Sequence, residues 1–181
     1  MSVESNESQS ASAMNQDMAV NLELHADSNS QQHLTFVLGD ENYGVDILRV
    51  QEIKGWSPVT HIPNTPEYMR GVLNLRGTIV PIVDLRMRFN MDTVEYTPLT
   101  VVIVLSVKTG DRERTLGIVV DGVSDVLTIK EGELKPTPDF GGAISTEYIK
   151  GLVTVDEKMV MLLDIDLLLS IDELKELDTA Q

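Results

Sequence analysis

The sequence contains no cysteine, which excludes disulfides, thiolate nucleophiles, cysteine-based zinc sites and iron–sulfur clusters together. Aromatic residues are scarce at 4%, so any core must be built from Val, Ile and Leu. Basic residues are also few: 14 Lys and Arg stand against 29 Asp and Glu, a formal net charge of −15. A chain that gripped phosphate backbones would need a basic stripe, and the acidic excess opposes docking on an anionic leaflet. Neither nucleic acid nor direct membrane contact is expected. The longest apolar stretches, such as Val101–Leu105 and Met159–Leu163, are far short of a bilayer span. The first 32 residues hold no Lys or Arg and no apolar run of signal-peptide length, so the chain reads as soluble and cytoplasmic.

Reactive constellations are missing too. The three histidines, His25, His33 and His61, lie in or beside the N-terminal stretch and in a Pro-rich loop, with no second ligand at metal spacing. There is no Gly-x-Ser-x-Gly, no Gly-rich phosphate loop and no His-Glu-x-x-His. Asp84 and Asp164 sit at strand ends before Leu-rich turns, where helix N-caps belong. No catalytic residue, cofactor site or metal site is expected, and the chain does not read as an enzyme.

What is present is a β-rich texture that begins abruptly. Residues 1–32, rich in Ser, Asn, Gln and acid, read as a disordered tail. From Leu34 onward, short runs such as Leu34–Leu38, Tyr43–Ile47, Val72–Leu75 and Ile79–Val83 are separated by Gly, Asn and Pro turns, a spacing that predicts small barrels. Pro81 inside a strand suggests an edge or a bulge. Arg76-Gly77 reads as a hairpin tip.

The second half repeats the first. Tyr43-Gly44 through Ile53 aligns with Leu116-Gly117 through Val126, and Tyr68 through Leu85 aligns without gaps on Tyr148 through Ile165. This internal duplication predicts two copies of one β-module, about 34–98 and about 99–169, with core positions Val45 matching Ile118 and Ile82 matching Leu162. The tip Arg76-Gly77 corresponds to Asp156-Glu157, so the two ends carry opposite charge. Beyond Leu169, Ser170 with Glu173 forms a capping-box pattern, and residues 170–181 read as a short C-terminal helix and tail, with Ile171, Leu174 and Leu177 on one face.

Several of these motifs resemble the CheW family of chemotaxis coupling proteins. They are Leu38-Gly-Asp-Glu-Asn-Tyr-Gly-Val-Asp-Ile47, Val50-Gln-Glu-Ile53, Asn64-Thr-Pro66, Gly71-Val-Leu-Asn-Leu-Arg-Gly77, Ile79-Val-Pro-Ile-Val-Asp-Leu85, Gly117 through Leu127 and Ser145-Thr-Glu-Tyr148. Together they cover the chain from about residue 34 to 169. The resemblance implies an all-β CheW-like domain, 33–169, of two intertwined five-stranded SH3-like barrels around a third apolar core. It also implies a non-enzymatic adaptor that joins the cytoplasmic tips of methyl-accepting chemoreceptors to the histidine kinase CheA, with other CheW-like proteins as further partners in rings. The receptor is expected along a groove at Val50, Val101, Val123 and Val126, with Glu52 and Arg76 at its polar edge. The kinase contact is expected at Ile53, Lys54, Gly55 and Trp56. A competing reading is a sensor module that binds a small apolar ligand in the same groove.

Overall fold

The structure, a computed structural model, describes residues 30–92, 94–138 and 147–169. Its strands are β1 Ser30–Leu38, β2 Glu41–Asp46, β3 Val50–Gly55, β4 Met69–Leu75, β5 Thr78–Asp84, β6 Val101–Thr109, β7 Arg112–Val120, β8 Gly122–Lys130, β9 Ile149–Val155 and β10 Lys158–Leu163. They form two five-stranded sheets, ordered β8-β1-β2-β10-β9 and β3-β6-β7-β5-β4. Exchanging β1–β5 for β6–β10 turns one order into the other. The register obeys the same exchange: β10 runs parallel to β2 with Leu162 opposite Gly44, and β5 runs parallel to β7 with Ile82 opposite Gly117. Single bridges, Thr60 to Val72 and Lys135 to Leu152, join the chain beyond β3 to β4 and beyond β8 to β9, so that each sheet curls into a small barrel.

Neither barrel is one repeat. The β1–β2 hairpin completes the sheet of β8, β9 and β10, and the β6–β7 hairpin completes that of β3, β4 and β5. The two halves of the chain are therefore interlocked through their first hairpins. Val45 and Ile118 are both fully buried, as are Ile82 and, within a few per cent, Leu162.

The all-apolar run of β6 has a direct cause. Successive strand side chains point to opposite faces, and both faces of β6 are covered. Val102 and Val104 point into their own barrel with Val80, Ile82 and Val119, while Ile103, Leu105 and Val107 join Phe36, Leu38, Val45, Val83 and Leu163 in a core shared by both sheets. The other barrel holds Ile129, Val153, Val160 and Leu162. The largest apolar cluster thus lies between the barrels. Aromatic rings also bridge it: Phe36, Tyr43, Phe89 and Tyr148 stack in sequence with centroids 5.5–5.9 Å apart.

Three expectations need correction or limits. Strand β1 starts at Ser30, inside the stretch read as tail, because Ser30, Gln31 and Gln32 pair with β8 opposite Lys130, Ile129 and Thr128. Their polar side chains stay outside the core, which is why composition concealed the strand. Pro81 lies inside the sheet, since β5 is between β7 and β4, but the side of β5 that faces β7 is still an open edge at this residue. Its missing N–H is tolerated because pairing to β7 begins one residue later, at Ile82. The expected C-terminal helix of residues 170–181 lies outside the described residues, as does residue 1–29 of the expected tail.

Candidate functional site

Most of the residues singled out for partner binding fall on two equivalent edge strands, β3 and β8; Trp56 follows the end of β3, Val101 opens β6, and Arg76 lies in the β4–β5 turn. Each carries a bulge at the same place, between Val50 and Glu52 and opposite Leu34–Phe36. A bulge adds one residue to the strand and so reverses the alternation of faces. As a result Val50 and Ile53 lie opposite Leu105 and Ile103, while Val123 and Val126 lie opposite Phe36 and Leu34. All four partners belong to the shared core. Val50, Val101 and Val123 pack against that core as half-buried residues. Ile53 and Val126 remain 43% and 50% exposed. The structure thus puts Ile53, expected at the kinase, on the same core-facing side as the valines expected at the receptor.

Glu52 and Arg76 come together. Arg76 Nη2 lies 3.5 Å from Glu52 Oε1, with the Arg76 side chain 84% exposed. Arg76 and Gly77 both have positive φ, 53° and 87°, the pairing that a two-residue type I′ hairpin turn requires. Asn74 Oδ1 accepts from the Gly77 N–H at 2.9 Å. The backbone of this tip is fixed locally, and its guanidinium is presented outward.

Lys54 is half-buried, and a Cβ added at the exposed Gly55 would meet nothing within 4 Å. Trp56 is not a free anchor. Its backbone N–H donates to Thr100 O, its ring stacks on Tyr96 at 4.5 Å, and the side chain packs against the Val80–Val102 core. Behind Tyr96 lies a buried charge network. Asp84 caps the turn α1, Leu85–Arg88, by accepting from Arg86 N–H, and the Arg86 guanidinium returns to both Asp84 oxygens at 3.0 and 2.9 Å. Arg86 also donates to Asp121 Oδ1 at 2.8 Å, and Tyr96 donates to Asp84 Oδ2 at 2.6 Å. Burial alone would lower the Arg86 pKa, but the hydrogen bonds to Asp84 and Asp121 outweigh it and raise it. Tyr96 is pushed up to about 12 by burial and then by its hydrogen bond to Asp84. The carboxylate oxygens of Asp84 and Asp121 are all hydrogen-bonded, and the network acts as a clamp.

Asp121, Arg86, Arg70 and Tyr96 belong to no motif of the sequence that points to a site. The signal for Arg86 was available: Asp84-Leu-Arg86 faces Asp164-Ile-Asp166 in the duplication, so a charge reversal marks the position. Arg70 and Tyr96 carried no such signal. Among the described residues no three His, Asp or Glu side chains gather as metal ligands, and no helix is long and apolar enough to cross a membrane.

Two interlocked SH3-like barrels, with paired edge strands beside a shared core, define an interaction module. A family model described as the CheW-like domain matches residues 32–173, and the chain belongs to that family. It is 48% identical over 155 residues to a chemotaxis protein CheW of Klebsiella aerogenes, covering 86% of this chain and 91% of that one. Its identity to a chemotaxis protein CheW of Rhizobium meliloti is 36%, over 81% of this chain and 92% of the relative. The crystal structure of the scaffolding protein TtCheW from Thermoanaerobacter tengcongensis superposes with a TM-score of 0.69 at 30% identity, covering 79% of this chain and 90% of that one.

Proposed function

We propose that the chain is a non-enzymatic adaptor that holds methyl-accepting chemoreceptors and the histidine kinase CheA in one signalling array. Family membership carries this reading, because the matched relatives are chemotaxis proteins and the superposed structure is a scaffold. A scaffold does its work by fixing the relative geometry of two partners so that the state of one biases the other. The edge strands suit this work: unpaired strand edges flanked by half-buried valines offer backbone and apolar surface together.

In this reading the cytoplasmic tip of the receptor lies along the shared-core side of β3 and β8, at Val50, Val101, Val123 and Val126, with the Glu52–Arg76 pair at its polar margin. Kinase binding uses the end of β3 from Ile53 through Lys54 and Gly55 to Trp56. The opposite barrel remains available for further CheW-like proteins, which would extend the assembly into rings. The protein would then work in the cytoplasm, at membrane-associated arrays that it reaches through its partners. Co-purification of the full chain with CheA and a receptor cytoplasmic fragment tests this: a ternary complex is expected, and failure to retain either partner overturns it.

A further inference from the structure

Beside Trp56 is a pocket of about 450 Å³ lined by Trp56, Pro58, Val59, His61, Arg70 and Tyr96. Its floor is the Trp56–Tyr96 stack. Its one permanent charge is the half-buried Arg70. The Arg70 guanidinium lies 5.7 Å from the Tyr96 ring centroid, with Nη1 3.8 Å from Met87 Sδ. It has no carboxylate partner among the described residues, and its Nε is buried with no acceptor. The two carboxylates of the network behind Tyr96 are committed elsewhere: both Asp84 oxygens serve Arg86 and Tyr96, and Asp121 serves Arg86 and the Gly39 N–H.

A buried donor without an acceptor costs stability, and a half-buried cation without a counter-charge costs more. Arg70 lines a pocket and lacks an ion pair among the described residues, so the position of its counter-charge is open to an acid from outside. We propose that this pocket receives an acidic side chain of the protein partner, with the two terminal nitrogens of Arg70, rather than its buried Nε, supplying a forked donor to the carboxylate and the Trp56–Tyr96 floor covering the neighbouring apolar residue. The forked geometry matches a carboxylate bidentately, and aromatic rings supply contact area at low entropic cost. The inference deepens the kinase contact proposed above at Trp56 and rests on that reading.

The chain has a single Trp, so its indole N–H signal reports the pocket without ambiguity. The full-length protein is titrated with blocked Leu-Glu-Leu and Leu-Gln-Leu peptides and with acetate. The Glu peptide is expected to move the indole signal at about millimolar concentration, the Gln peptide at concentrations roughly fivefold higher or more, and Arg70→Gln is expected to erase the difference. Equal response to both peptides, no response, or acetate acting as well as the Glu peptide overturns the proposal. Arg70→Met is expected to melt at or above the wild-type temperature, and a marked drop would show that Arg70 is structural. In parallel, Arg70→Gln is expected to weaken CheA binding about tenfold or more while receptor binding stays unchanged. Wild-type CheA affinity in that variant overturns the pocket's role and leaves the adaptor reading intact. A wild-type chain that binds no CheA removes the adaptor reading, and the peptide titration then still decides the pocket chemistry.

Discussion

Arg86 and Asp166 occupy the same position in the two halves of the duplication, with opposite charge, and each ties itself to the turn after the second strand of the other half. Arg86 reaches Asp121 beyond β7, and Asp166 reaches Arg49 beyond β2 at 2.7 and 3.1 Å. The cause is topological: β5 runs beside β7 and β10 beside β2, so the turn after each lands on the partner half. The two clamps differ in burial. Arg86 and the Asp84 it also holds are closed to solvent, although Asp121 is 36% exposed, whereas both Arg49 and Asp166 are about a quarter exposed. Arg86→Met should therefore cost roughly 3–5 kcal/mol, since it leaves Asp84 buried and unpaired. Asp166→Asn should cost about 1 kcal/mol or less, because an amide oxygen can still accept from the Lys108 N–H. Urea unfolding of both variants checks this, and equal costs would refute the difference in burial as the cause.

His33 stands where the other barrel has Val102. The hairpin registers fix this, since His33 lies opposite Asp46 and Val102 opposite Val119. Thr35 likewise takes the place of Val104, but its hydroxyl is satisfied by the backbone N–H and C=O of Asp125. His33 is buried, and its Nδ1 has no partner among the described residues. Burial lowers its pKa below 6.5, and the opposing pull of Asp46 does not restore it. A depressed histidine binds its proton more readily in the unfolded chain, so its contribution is complete above pH 6.5 and is lost as the pH falls below it. His33→Val should raise stability by about 1 kcal/mol at neutral pH. The gap to wild type should widen from pH 7 to 5 in thermal melts, and a constant gap would contradict the assignment.

The duplication, the strand positions and the core pairs could be read from residues because strand periodicity and Gly turns are local. The interlocking of the halves came only with the family resemblance, because nothing in β1 or β2 itself states that its neighbours will be β8 and β10. Edge strands β3 and β8 were legible as apolar segments, yet the faces of Ile53 and Val126 depend on two bulges that leave no mark in composition. Trp56 shows the same limit: the residue was found, but its stacking partner Tyr96 is 40 positions away. His33, placed at the very start of the domain beside a polar stretch, gave no sign that it is buried.

The two hairpin tips differ at their second residue. Gly77 takes φ 87° freely, but Glu157 holds φ 66° with a side chain, a conformation costing about 1–2 kcal/mol for an L-residue. Glu157→Gly creates the Asp-Gly pair that type I′ turns favour. It should stabilise the fold by about 0.5–1 kcal/mol, net of the added freedom of the unfolded chain. A lowered melting temperature would show that Glu157 makes a compensating contact.

Arg76 has a positive φ and an exposed side chain, and its equivalent is Asp156, so the fold does not demand arginine there. Its pair with Glu52, at 3.5 Å in solvent, should contribute little to stability; Arg76→Glu is expected to change unfolding by no more than about 0.5 kcal/mol. Binding is another matter. If the guanidinium meets a carboxylate or carbonyl on the receptor or kinase, reversal should cost roughly 2–5 kcal/mol of affinity for that partner. Exchanging both charges, Arg76→Glu with Glu52→Arg, separates two roles. The exchange restores an ion pair between β3 and the tip but moves the forked donor onto a different backbone. Recovery of binding would show that the pair itself is what matters, as a brace between strand and turn. Continued loss, which is the expected result, would show that the partner reads the guanidinium at the tip. Titration of the single and double variants against receptor fragment and CheA decides between them, and wild-type affinity of Arg76→Glu for both would remove Arg76 from the interface.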